Sequence, residues 1–182
     1  MEELRELKER MTQQRPEPWE ALPDLALYMD QLISYMPRQL IRYGEGDTLT
    51  AAMVNNYIKD GLLPRAEGKR YGKEHLAWLT AICALKPVLS MREIATLFAA
   101  LDPQADPEAL YAVLLEKLDQ SMKRVAEPLA EEVPQEELAG LALSLALDSY
   151  ASKLACQRVL DLLRGEDPQP EEKKRKEKKS HE

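Results

Sequence analysis

Asn55 and Asn56 stand side by side, with Ala52 one turn before them and Lys59 one turn after. If Thr50 caps a helix here, Ala52, Asn55, Asn56 and Lys59 share one of its faces. An asparagine amide both donates and accepts, so it can pair bidentately with an adenine edge in a major groove. Small neighbours let the helix backbone come close to that edge. Val54, Tyr57 and Ile58 recur at three and four residues on the other side and are expected to pack inward. Gly61 is placed to end the helix in a left-handed conformation. Leu62-Leu63-Pro64 then anchors an excursion in which Arg65, Lys69 and Arg70 surround Gly68, followed by Tyr71 and Lys73. Cations in a short hairpin beside such a helix can hold backbone phosphates and fix register without reading sequence, with the Tyr71 hydroxyl as a further contact. The same residues also suit an ordinary solvated helix face and turn, and residue type alone does not separate the two readings.

These groups need elements to position them. Glu2–Gln14 is charged with few apolar positions and is read as a mobile arm, part of a segment running to residue 18. Pro16, Pro18 and Pro23 make a linker that Trp19 and Leu22 dock onto the core. Asp24 is expected to cap a helix carrying Leu25, Tyr28, Met29, Leu32, Ile33 and Met36. Pro37 interrupts it, a further turn runs to Tyr43, and Gly44-Glu45-Gly46-Asp47 is a turn by composition. Helices follow from Thr50 to Gly61, from Lys73 to Lys86 where Pro87 stops it, and from Ser90 to Leu101. Glu93 completes a capping box with Ser90. Residues 102–107 form a second linker. A helix over 107–126 aligns Leu110, Leu114, Leu118, Met122 and Val125, and Pro134 opens a last one to about Arg164. Leu138–Leu147 is apolar around much of its girth and should sit at the centre of something. Residues 166–182 hold six acidic and six basic side chains with nothing to bury, which reads as a disordered tail.

Composition bounds the class. Val, Ile and Thr total sixteen in 182 residues, while helix-favouring Leu, Ala, Glu, Lys, Arg, Gln and Met dominate, so the chain is expected to be mostly all-α. The ten residues Leu138–Leu147 are too few to cross a bilayer, and Met1–Gln14 has no signal-peptide pattern. Cys83 and Cys156 lie within helical patterns without metal-ligand spacing and read as small hydrophobes in a reducing cytoplasm. Net charge is −7, yet residues 36–95 carry nine Lys/Arg against six Asp/Glu, a locally basic span on an acidic chain. An enzyme is not expected. His75 belongs to a helix start and His181 to the tail, and no nucleophile–base pairing, phosphate-cradling glycine loop or H-E-x-x-H spacing is present.

Tyr57-Ile-Lys-Asp-Gly-Leu-Leu-Pro64, Arg70-Tyr71, His75-Leu76, Leu85, Ser90-Met91 and Glu93-Ile94 resemble, in order and spacing, the N-terminal domain of the bacterial MerR regulators. Closer still, Met53-Val-Asn-Asn-Tyr-Ile-Lys-Asp-Gly-Leu-Leu-Pro64 with Lys69-Arg70-Tyr71 and Glu74-His75-Leu76 resembles an uncharacterised bacterial family, domain of unknown function 1836. Leu22-Pro-Asp24 and Tyr28-Met-Asp-Gln31 fit the same family, so the likeness runs over about residues 20–102. It implies a winged helix-turn-helix over residues 19–102, with recognition helix 50–60 and wing 62–71, and hence binding to double-stranded DNA. Where MerR proteins place Arg-Tyr-Tyr, this chain has Asn55-Asn56-Tyr57. Their effector-binding cysteines have no equivalent, so no metal-responsive mechanism is implied.

The expectation is a sequence-specific DNA-binding transcriptional regulator. Its interface is Thr50, Ala52, Asn55, Asn56, Lys59, Arg65, Lys69, Arg70, Tyr71 and Lys73, with no cofactor or metal and no effector that the residues name. The competing reading is a protein-interaction module on the same scaffold. The C-terminal helices, residues 103–165, are expected either to pair two copies through residues 107–164 or to cover the first domain's core.

Overall fold

The computed structural model describes residues 2–39, 49–101, 106–130 and 132–165, and among them seven α-helices carry the fold. The centre is α4, Lys73–Leu85. Its run of His75, Leu76, Ala77, Leu79, Thr80, Ala81, Ile82 and Cys83 is buried almost all round. The one hydroxyl inside it, on Thr80, donates to the Leu76 carbonyl at 2.8 Å, so the helix carries that polar group without an orphaned donor.

Other elements wrap α4. Helix α2, Met29–Tyr35, and the 3-10 turn Met36–Gln39 bring Leu32 and Met36 into the core. Helix α3, Ala51–Lys59, adds Val54 and Tyr57. Helix α5, Met91–Ala100, adds Ile94, and its Ser90–Glu93 capping box forms as the spacing requires, with Ser90 N–H donating to Glu93 Oε2 at 2.7 Å. Each fully buried Leu, Ile, Val or Met contributes roughly 1.5–3 kcal/mol. Leu22 is buried and Trp19 packs against the same core, as the proline linker was expected to arrange.

Helix α6, Pro107–Ala126, lies on α4, and Tyr111 is its anchor. That side chain is buried, its hydroxyl bonded to the Glu17 carbonyl at 2.9 Å and to Gln39 Oε1 at 3.2 Å. Tyr111 and Leu160 of α7, Leu138–Arg164, belong to the same apolar cluster as Leu32 and Ile82, so one core includes residues from both halves of the chain.

Three segments depart from expectation. Glu2–Gln13, read as a mobile arm, is helix α1 lying along α6. It buries no residue of its own. Arg15 ties it down, bonding Asp119 at 2.7 Å and capping the Met11 carbonyl at 2.8 Å. The helix expected from Asp24 begins at Met29, because Leu27 is extended and pairs its backbone with Tyr71 in both directions at 2.9 Å. Leu25 is consequently 83% exposed. The Leu138–Leu147 run, expected at a centre, lies on the outside of this chain, with Leu143 61% and Leu147 56% exposed. The turn at residues 44–47, residues 40–43 of the helical turn after Pro37, most of the 102–107 linker and the 166–182 tail lie outside the described residues. Among the described residues no helix is long and apolar enough to cross a membrane.

Candidate nucleic-acid interface

Thr50 starts α3 as its spacing requires. The hydroxyl oxygen accepts the Met53 N–H at 3.3 Å, leaving Thr50 itself exposed at the helix entrance. Val54 and Tyr57 face the core, which turns Ala52, Asn55, Asn56 and Lys59 to solvent, and all four are exposed. Gly61, at φ +73°, lets the chain reverse, and the Leu62 and Leu63 N–H groups close onto the Tyr57 carbonyl at 2.8 and 3.2 Å. Burial of Leu62 and Leu63 fixes where the excursion leaves.

The excursion is a two-residue hairpin. Glu67 and Arg70 exchange backbone hydrogen bonds at 3.2 and 2.9 Å. Gly68 and Lys69 between them have φ +56° and +64°, the pair of positive values that a type I′ turn demands. It presents Arg65, Lys69 and Arg70 exposed. The pairing does not extend into named strands, and Leu27–Tyr71 and Glu67–Arg70 are the isolated bridges among the described residues.

The ten candidate residues divide. Thr50, Ala52, Asn55, Asn56, Lys59, Arg65 and Lys69 are exposed on α3 and the hairpin, and the last three cations have no partner among the described residues. Arg70 is exposed too, but its guanidinium lies 5.1 Å from the Tyr28 ring centroid and donates to the Tyr28 hydroxyl at 3.0 Å. Lys73 pairs with Asp24 at 2.7 Å, tying the extended entry of α2 to the start of α4. Tyr71 is placed mainly as a core residue: it is 5% exposed and meets the His75 ring edge-on at 5.3 Å, which leaves little of it to meet a ligand. Burial raises its hydroxyl pKa above the ordinary tyrosine value. Pairing of the Tyr71 backbone with Leu27 turns the ring inward, a partnership 44 positions apart that local spacing does not reveal. Tyr28 is the residue that sequence reasoning missed, having been assigned to a helix interior.

His75 does what its position at a helix start suggests, accepting the Gly72 N–H on Nδ1 at 3.2 Å. Among the described residues no group of three His, Cys, Asp or Glu side chains is placed to hold a metal ion.

Residues 17–114 match the family described as Domain of unknown function (DUF1836). The chain belongs to that family. The DUF1836 span takes in the Trp19–Ala21 turn, α2, α3, the hairpin, α4 and α5, and it ends within α6. Helices α1 and α7 lie outside it. No curated protein and no solved structure matches the chain.

Proposed function

We propose that this DUF1836 protein is a sequence-specific DNA-binding regulator that lays α3 in a major groove. The observation that carries the reading is the outward face of α3: Ala52, Asn55, Asn56 and Lys59 exposed together above a buried Val54–Tyr57 face. Asn55 and Asn56 are assigned to base edges, Ala52 to close approach and Lys59 to a flanking phosphate. The Glu67–Arg70 hairpin serves as a minimal wing in the MerR-like sense, with Arg65 and Lys69 on the backbone beside the groove. Arg70, held over Tyr28, is a partly ordered contact that spends less side-chain entropy on meeting a phosphate. Lys73, paired with Asp24, acts by holding the scaffold.

The test is selection of random duplex DNA on the full chain at low and moderate salt. An enriched motif is expected, and Asn56→Ala should weaken it by roughly 1–3 kcal/mol and relax one base position. Lys59→Ala and Lys69→Ala should each reduce the slope of log affinity against log salt by about 0.9. No enriched motif at either salt refutes the assignment.

The engagement of Arg70 with Tyr28 and of Lys73 with Asp24 favours a second reading, a protein-interaction module, because it takes two cations out of the unpaired set. That reading predicts binding to a protein that survives moderate salt.

A further inference from the structure

Helix α7 has two apolar sides. Leu141, Leu145, Cys156 and Leu160 lie on one, partly or fully buried. Roughly 180° around the helix, at about 100° per residue, Leu143, Leu147, Tyr150 and Leu154 make a second stripe at 4-3-4 spacing. These four are 61%, 56%, 61% and 49% exposed. A 4-3-4 stripe is the seam of a coiled coil, and a seam left open to water has a missing partner. The α7 helix lies wholly beyond residue 114, so membership of DUF1836 says nothing about it.

We infer that a second copy of this chain docks on the Leu143–Leu154 stripe, the two α7 helices running antiparallel. Size and charge single out a copy of the chain itself. The four side chains leave on the order of 450 Å² open per copy; with the exposed small residues beside them, such as Ser144, Ala146 and Ala151, a pair of copies would cover roughly 1,000–1,200 Å² in total, the low end of specific interfaces. A two-fold axis near residues 148–149 sets Leu143 against Leu154 and Leu147 against Tyr150 of the partner copy, large against large. The same axis lays the exposed Glu136 and Glu137 of one copy along the end of the other's α7, where Arg158 and Arg164 outnumber Asp161, whereas a parallel pair would stack like charges. Small residues flanking the stripe let the helices approach closely. The inference narrows the pairing expected of residues 107–164 to one face of one helix, and it holds whether or not α3 binds DNA.

Sedimentation of the full chain at micromolar concentration is expected to give twice the chain mass. Leu147→Glu, at an exposed position, should return it to a single chain while leaving the circular dichroism spectrum unchanged. A single-chain mass for the unaltered protein overturns the inference, and so does a doubled mass that persists in Leu147→Glu. Orientation is read separately, in a chain whose two cysteines are replaced by alanine and which carries a spin label at Ala139. Antiparallel docking places the two labels roughly 30 Å apart, and a separation near 10 Å, as in a parallel pair, overturns the antiparallel arrangement.

Discussion

Replacing Tyr111 by phenylalanine removes a single oxygen from the middle of the molecule and nothing else of consequence. The ring keeps its place 6.2 Å from Trp19 and its volume in the core, so no cavity opens. The loss is polar. The hydroxyl bonds the Glu17 carbonyl at 2.9 Å and Gln39 Oε1 at 3.2 Å, and the Gln39 side chain is fully buried. A hydrogen bond contributes a net ~1 kcal/mol, and leaving a buried acceptor wanting costs about 1–3 kcal/mol, so the substitution should destabilise by about 2 kcal/mol. For a chain of this length that is a fall of roughly 4–8 °C in Tm. Urea unfolding followed by circular dichroism reads it directly, and a loss below ~0.5 kcal/mol would refute the assignment of Tyr111 as the polar pin between α6 and the Met36–Gln39 turn. The alkaline limb gives a second reading. Burial chiefly raises the Tyr111 pKa from 10.0 to about 12, and burial followed by the Glu17 carboxylate does the same for Tyr35. A raised folded pKa means that the folded chain holds more protons between these values. Stability is therefore intact below pH 10 and falls as pH climbs toward 12. Tyr111→Phe should make that fall shallower without abolishing it, because Tyr35 remains.

Glu93 accepts the Ser90 N–H and hydroxyl and the Gln157 amide, and these bonds, the backbone one foremost, hold its carboxyl below the usual range. A depressed folded pKa gives stabilisation that is present above the ordinary carboxylate range and lost as pH falls through the folded value. The protection of amides in residues 157–164, taken against the intrinsic exchange rate at each pH, should therefore fall on acidification, and unchanged protection would separate Glu93 from the docking of α7. Lys69→Gly should stabilise the hairpin by about 0.5–1 kcal/mol in thermal melts, since Lys69 sits at φ +64°, whereas Lys69→Val should destabilise it by roughly 1–2 kcal/mol. Arg15→Ala removes the ion pair to Asp119 and the cap on the Met11 carbonyl from a helix with no buried residue. Far-UV circular dichroism should lose part of the signal of a twelve-residue helix, with Lys8 still tied to the Leu129 carbonyl at 2.6 Å, and a spectrum equal to the parent's would show that α1 holds to α6 without Arg15.

What the amino-acid sequence disclosed followed the reach of the interactions. The Thr50 cap, the Ser90–Glu93 box and the Gly61 reversal are settled within three or four residues, and each stands where its spacing put it. The outward face of α3 was legible for the same reason, since helical period alone decides which side chains share a face. Tyr71, Arg70 and Lys73 were misplaced or only half placed because their partners Leu27, Tyr28 and Asp24 arrive from some 40 to 50 positions earlier. The start of α2 slipped four residues for that reason too: the helical period over Leu25–Tyr28 lost to a backbone pairing it could not report. Tyr111 gave no local sign of its role, its partners Gln39 and Glu17 lying 72 and 94 positions away.

The contacts of α7 include a grip near its end, where Gln157 meets Glu93, Arg164 meets Thr96 and Leu160 enters the core. Towards its start Leu138, Leu141 and Leu145 are half-buried as well, so the two supports lie roughly 15–20 Å apart along the axis. A beam held at two points resists tilting, and repacking around Ile94 and Leu160 should slide or twist α7 before it swings the Leu138 end.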